Sequence, residues 1–271
     1  MKAFRFGVVG SPTTGATWTK TVRQAADSGY STVLMPDGLQ LPSPFPSLAM
    51  AAAVADIRVG TFVAAAPLRT PRAAAWEAHT LTVLTGGRFE FGIGTGRPVA
   101  EQQTAELGLP WGSAKQRRDQ VRETLDLLVE LDGDRQTPIM LAAGGPRALA
   151  LAAARADIVS LAKDAMTPRA EVAKLVRDLQ ELAGARADEI ELAMNLFAAG
   201  TRELPPWTKQ AAGVDPEVLE ASDSLMMLRG TPQQMADELQ RRRDEFGASY
   251  ISVNATYLED LAPVVELLHG K

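Results

Sequence analysis

The stretch IRVGTFVAAAPLRTPRAAAWEAHTLTVLTGGRFEFGIGTGR, from Ile57 to Arg97, holds a strand, a helix and a second strand in succession. Residues 57–66 form a short apolar run of the kind a strand covered on both faces needs. Thr70-Pro71 then places a capping hydroxyl just before a proline at the first helical position. Gly86-Gly87 ends that helix, where a left-handed backbone is cheap for glycine. Residues 88–94 begin the next apolar run. Strands joined through a crossover helix run parallel, so this stretch reads as one unit of a parallel α/β sheet.

The same alternation continues in both directions. Besides 57–66 and 88–94, strands are expected at 3–10, 31–36, 138–143, 157–162, 189–198 and 249–254. The intervening segments carry apolar stripes at helical spacing: Trp18, Val22, Ala25 and Ala26; Val121, Leu125 and Leu128; Val172, Leu175, Val176 and Leu179; Leu258, Leu261, Val265 and Leu268. Thr167-Pro168 and Thr231-Pro232 repeat the Thr-Pro start, and Thr231 has Gln234 three residues on, as a capping box requires. Eight strand–helix pairs in 271 residues match the ~250 residues of one (β/α)8 TIM barrel. The chain is therefore expected to be a single domain, 1–271, with insertions at 97–112 and 201–230. Both follow strands, on the face where barrels place their active sites. The first reads as a long polar loop. The second carries Pro205-Pro206-Trp207 and a short helix near 216–222, and reads as a lid over a substrate, with a surface insertion without function as the alternative.

Hydrophobic residues at 46% and charged residues at 23% supply an ordinary globular core. The absence of cysteine excludes disulfides, thiolate metal sites and a thiol nucleophile. No run approaches the ~20 apolar residues of a membrane span, and no basic leader precedes the first strand. A soluble, cytoplasmic protein is expected, with no membrane partner. A net charge of −5 gives no broad footprint for nucleic acid. The only histidines are His79, mid-helix, and His269, near the chain end. Both read as structural. This inventory cannot build a multi-histidine metal site or a Ser-His-Asp triad, so no metal is expected.

Two segments and two side chains carry chemistry. Phe91-Gly92-Ile93-Gly94-Thr95-Gly96-Arg97 ends a strand in glycines, which lets backbone approach a planar ligand; read alone, it equally suits a tight turn. Ala142-Ala143-Gly144-Gly145-Pro146-Arg147 lies between a strand and a helix starting near Pro146. Free amides, a helix dipole and Arg147 there make an anion site, although the glycines also suit a plain turn. Asp37 ends the second strand, where it can serve as base, acceptor or cap. Lys163 ends the sixth, where a desolvated lysine would suit a Schiff-base aldolase, although a lysine there is more often a solvated charge or a phosphate partner.

The segment from Arg58 to Arg97 resembles the luciferase-like monooxygenase superfamily, most of all its actinobacterial oxidoreductases dependent on coenzyme F420. Supporting pieces are Ala25-Ala26-Asp27-Ser28-Gly29-Tyr30, Pro36-Asp37, Gly144 to Arg147 with Ala156-Asp157-Ile158-Val159, and Arg243 to Gly247 followed by Tyr250-Ile251. The resemblance implies a commonly dimeric barrel that lays a tricyclic ring across its strand ends and sets a phosphate at the helix after strand five. It also implies a bulge with a non-proline cis peptide near Thr61-Phe62. Carried over by position, Asp37, Thr61, Phe62, Ala64, Thr95, Gly96, Arg97, Ala143, Gly144, Gly145, Pro146 and Arg147 line the cofactor site.

Two departures narrow the activity. The superfamily often has histidine after the strand-two aspartate, where this chain has Gly38, and its sugar-phosphate dehydrogenases carry glutamate where this chain has Arg97. Sugar-phosphate oxidation is therefore not expected, and Asp37, Glu101 and Tyr257 remain as candidate acid–base groups. The expectation is an F420-dependent homodimer moving a hydride to or from a small organic molecule, such as an activated C=C bond in a biosynthetic pathway. The alternatives are an FMN-dependent monooxygenase, the Lys163 aldolase and a non-catalytic ligand-binding barrel.

Overall fold

A computed structural model describes residues 2–205 and 207–271, and the side chains of residues 207, 210 and 211 lie outside the description. The strands are β1 Arg5–Val9, β2 Thr32–Met35, β3 Arg58–Thr61, β4 Ala64–Ala65, β5 Phe89–Gly94, β6 Ile139–Ala143, β7 Ile158–Leu161, β8 Glu191–Leu196, β9 Ala198–Ala199, β10 Met227–Leu228 and β11 Ala248–Asn254. The helices are α1 Gly15–Asp27, α2 Pro44–Val54, α3 Pro71–Leu84, α4 Ala100–Glu106, α5 Ala114–Asp132, α6 Pro146–Arg155, α7 Arg169–Ala183, α8 Trp207–Ala212, α9 Pro216–Glu220, α10 Pro232–Phe246 and α11 Leu258–Leu268. All eight expected strands are present. The third is divided into β3 and β4, and the seventh into β8 and β9.

Contacts group the chain into two compact units. The first comprises Val9–Ala26 and Thr32–Ala142. Within it β2 pairs with β3, β3 and β4 both pair with β5, and β5 pairs with β6, all in parallel. Gly60 lies opposite Glu90, but Ala64 lies opposite Ile93: one strand takes four steps where its partner takes three. That extra residue is a β-bulge. The peptide between Phe62 and Val63 inside it is cis, one bond beyond the expected position. Alternate residues of β5 share a face, which sets Phe89 and Phe91 against Phe45 of α2 with centroids 6.3 and 6.4 Å away. All three rings are buried, each contributing roughly 1.5–3 kcal/mol by leaving water.

The second unit comprises residues 2–8, 27–31 and 143–271. Here β7 and β11 flank β8 in parallel, and β9 pairs with β10 as a two-stranded addition that strand periodicity alone did not suggest. Arg242 of α10 is 3% exposed and ties down the end of the 201–230 insertion by donating to the carbonyls of Leu225 and Met227 at 2.7 and 2.8 Å. Glu238 pairs with Arg242 and with Arg169, which also reaches Asp223. Burial raises the Glu238 carboxyl, but the bonds and charges of Arg242 and Arg169 outweigh it and hold the group below its ordinary range. Pro206 and the Trp207 side chain of the expected lid lie outside the described residues; the short helix near 216–222 is α9.

Local chemistry explains most boundaries and corrects two. Thr70 accepts from the Ala73 amide, and Thr231 with Gln234 completes the expected capping box. Ser113 with Gln116 makes a second box at α5. Thr167 does not cap α7, whose N-cap is Pro168, so that helix starts one residue later than the Thr-Pro pattern implied. The 97–112 connection contains α4 instead of being loop throughout, because Ala100 and Thr104, one turn apart, have buried surfaces to cover. No helix among the described residues is long and apolar enough to cross a membrane.

His79 is structural, as expected. Its Nδ1 lies 2.7 Å from Asp132 Oδ1, while Asp132 Oδ2 accepts from the Thr137 amide at 3.0 Å and its hydroxyl at 2.6 Å. The Asp132 side chain is 4% exposed, so its removal strands several polar groups inside. Asp132→Ala is expected to destabilise the fold by about 1–3 kcal/mol, read from the urea midpoint at unchanged slope.

Candidate active site

The strand ends of the first unit are held by one buried ion pair. Asp37, just past β2, has a side chain only 4% exposed. Its Oδ2 accepts from Arg69 Nη1 at 2.6 Å and from the Ala65 amide at 3.0 Å, and Oδ1 accepts from Arg69 Nη2 at 3.3 Å. Arg69 also bonds Glu77 at 2.9 Å and lies 4.9 Å over the Phe45 ring. Burial raises the Glu77 carboxyl, and Arg69 opposes this. Gln120 of α5 donates to the carbonyls of Ala66 and Arg69, both at 2.8 Å. Asp37 is thus engaged in fixing residues 65–69, a positioning task and not that of a free base.

Beside this clamp the β5 glycines meet the bulge. A Cβ on Gly92 would stand 1.9 Å from the Thr61 carbonyl oxygen, a distance no side chain tolerates. The Thr61 hydroxyl donates to the Gly92 carbonyl at 2.6 Å. Thr61 and Ala64 are buried, whereas Phe62, Thr95 and Gly96 are half-buried. Gly96 adopts φ 79°, and its face is covered by Trp111, whose ring would lie 3.2 Å from a Cβ there. Arg117 stacks 3.9 Å from the Trp111 centroid and donates to the Thr95 and Gly112 carbonyls. Arg97 is exposed, and its guanidinium has no partner among the described residues, while its carbonyl accepts from the Ala100 amide at 2.9 Å. Glu101 is exposed in the first turn of α4.

In the second unit, β6 ends at buried Ala143, whose carbonyl accepts from the Ala162 amide at 2.9 Å. A Cβ on Gly144 would fall 2.0 Å from the Ala162 carbonyl oxygen, so only glycine fits. Gly145 is the N-cap of α6 and offers no side chain to the first amides; Pro146 follows at the first helical position. The space beside Gly145 is open to 4 Å. Arg147 is exposed and unpaired among the described residues. Lys163 borders a cavity of about 40 Å³ with Met194, Asn195 and Leu225, room for only a few waters. Tyr257 is fully buried; its hydroxyl approaches the Glu203 carbonyl at 3.5 Å, and burial raises its pKa against the opposing charges of Arg229 and Arg202. It is a neutral phenol at ordinary pH. No group of three or more His, Cys, Asp or Glu among the described residues could hold a metal ion.

Sequence reading missed Arg69, Trp111, Arg117 and Gln120. For two of these a signal existed: Arg117 lies four residues before Val121 on the α5 core stripe, and Gln120 lies beside it, so the helical period turns both inward. Arg69 gave no such signal, because its partner is 32 residues away.

These features define an α/β protein of the (β/α)8 TIM-barrel class. The chain belongs to the luciferase-like monooxygenase family, which matches residues 5–203. Two curated relatives are each called F420-dependent glucose-6-phosphate dehydrogenase. One, from Beutenbergia cavernae, is 32% identical over 160 residues, 47% of either chain. The other, from Nakamurella multipartita, is 29% identical over 212 residues, 64% of this chain and 60% of that one. The chain thus spans about half to three fifths of these relatives' length. Among solved structures, the coenzyme F420-dependent tetrahydromethanopterin reductase of Methanopyrus kandleri shares the fold with TM-score 0.76 at 18% identity, covering 98% of this chain and 97% of that one. A long-chain alkane monooxygenase shares it with TM-score 0.77 at 13% identity, covering 98% and 92%.

The Asp37–Arg69 pair gives the clamp a testable energy. Arg69→Met leaves a buried carboxylate without its counter-charge and is expected to cost about 3–5 kcal/mol. Adding Asp37→Ala should restore part of that loss, whereas an additive double variant in urea unfolding would mean that the two side chains do not cooperate.

Proposed function

We propose that this chain is an F420-dependent oxidoreductase that transfers a hydride between the deazaflavin and a small organic substrate. The observation that carries this reading is the start of α6. Its amides have no side-chain cap, Gly145 leaves the space before them open, and the Arg147 guanidinium has no competing partner among the described residues. Amides, dipole and guanidinium together suit a phosphate, so the residues present fit a phosphorylated cofactor. Both curated relatives bear the name of an F420-dependent enzyme, which supports the deazaflavin over other phosphorylated ligands.

In this reading Ala143, Gly144, Gly145, Pro146 and Arg147 take the phosphate, and Asp37, Thr61, Phe62, Ala64, Thr95, Gly96 and Arg97 line the ring. When bound, the deazaflavin supplies hydride exchange at its ring carbon. The protein's share is positional. The Asp37–Arg69 pair holds residues 65–69 in place, Trp111 packs over one face of Gly96, and Thr61 fixes β5 against the bulge. Glycine at 38 and arginine at 97 support a substrate other than a sugar phosphate, such as an activated C=C bond. A cytoplasmic homodimer is part of the same proposal. The description of the family as monooxygenases favours one second reading, reduced FMN with oxygen. The cavity beside Lys163 is small, which gives the aldolase reading less support.

Titration of the purified protein with coenzyme F420 and with FMN, followed by fluorescence, tests the proposal. Saturable F420 binding is expected, weakened roughly 10- to 100-fold by Arg147→Ala if one charged hydrogen bond worth about 1.5–3 kcal/mol is lost. Tight FMN binding without an F420 response would overturn the cofactor assignment.

A further inference from the structure

We propose that Gln40 is a specificity-determining residue of this site, its carboxamide presenting two N–H donors to a carbonyl oxygen of the bound molecule. The inference rests on the functional reading above and adds a polar contact that the cofactor-lining residues do not provide. Gly38 lies on the rim beyond β2, yet it is buried. A Cβ there would fall 2.7 Å from Gln40 Oε1 and 2.8 Å from Nε2. The Leu41 amide, which donates to the Gly38 carbonyl at 3.0 Å, closes the turn that brings residue 40 back over residue 38. The Gln40 carboxamide therefore occupies the volume that a side chain at 38 would fill.

Its orientation is fixed from across the rim. Gln103 of α4 is 9% exposed and donates from Nε2 to Gln40 Oε1 at 2.6 Å. With that oxygen accepting, the two donors of Gln40 Nε2 form the free end of the amide. They have no partner among the described residues, and Gln40 itself is exposed. A carboxamide does not titrate. Its donors remain at every working pH and suit an uncharged acceptor, as an imidazole in the same volume would only in one tautomer or when charged. Two oxygens have this chemistry: a ring carbonyl of the deazaflavin and the carbonyl of an enone substrate.

The deciding experiment uses the full chain and two probes, coenzyme F420 and, on the F420 complex, 2-cyclohexen-1-one. Dissociation constants are measured by fluorescence and by ligand-observed NMR for wild type, Gln40→Leu, Gly38→Ala, Gln103→Leu and Gln103→Glu. Gln40→Leu and Gly38→Ala, which remove or displace the amide, should weaken one probe about five- to tenfold, the loss of one net hydrogen bond. Weakened F420 assigns the oxygen to the cofactor, and weakened enone with unchanged F420 assigns it to the substrate. Gln103→Glu adds a sharper requirement. A carboxylate only accepts, so Gln40 must turn its Nε2 toward residue 103 and present its own oxygen to the site. That variant should bind the affected probe more weakly than Gln103→Leu, which merely frees the amide. Gln40 is exposed, so matching thermal melts are expected for the Gln40 variant. Affinities within twofold of wild type for both probes overturn the proposal, as do equal effects of the two Gln103 variants. A wild type that binds neither F420 nor FMN sinks the functional reading, and Gln40 then loses its ligand with it.

Discussion

The Thr61 carbonyl and the Gly92 α-carbon approach so closely that no side chain can stand between them, and the strand ends of the first unit are arranged around that contact. A bulge inserts one residue between Gly60 and Ala64, which swings Thr61 against β5 before the pairing resumes at Ala64 and Ile93. Gly92 must then be glycine on steric grounds alone. The Thr61 hydroxyl closes the same contact from the other direction. The bulge also sets the Ala65 amide where Asp37 can accept it, so the ion pair with Arg69 follows from the backbone path.

Buried charge is an expensive way to hold a loop, since each ion gives up several kcal/mol of hydration. Here every oxygen of Asp37 and all three nitrogens of Arg69 have a partner, which limits that cost and leaves one low-energy arrangement. The Arg117–Trp111 stack works similarly, because its guanidinium is tied to two backbone carbonyls before it covers the ring. Rigid backing of this kind suits a site whose chemistry resides in a bound ring, where the protein's task is orientation. The α6 start contrasts with it: no side chain caps its first amides, and the Arg147 guanidinium has no partner among the described residues.

The architecture was legible because it rests on local rules. Strand runs, helical stripes and Thr-Pro or Thr-x-x-Gln starts each concern residues within a few positions of one another, and all eight strands follow from them. Thr167 shows the limit, since a capping hydroxyl competes with the following Pro168, which took the cap position instead. Helix α4 was hidden by a polar composition that becomes sensible only once Gln103 and Thr104 have neighbours to meet. At the site, the glycines announced themselves, and likeness to relatives placed the cis peptide to within one bond. The clamp did not. Arg69 with Asp37 and Gln40 with Gln103 join positions 32 and 63 residues apart, a separation that periodicity and spacing do not reach.

The central claim is that an uncapped helix start beside two glycines holds a phosphorylated deazaflavin. A crystal of the chain soaked with coenzyme F420 tests it most directly. The account predicts phosphate oxygens at hydrogen-bonding distance, roughly 2.7–3.2 Å, from the first free amides of α6 and from the Arg147 guanidinium. A bound cofactor whose phosphate lies elsewhere, with those amides and Arg147 still facing solvent, would contradict it.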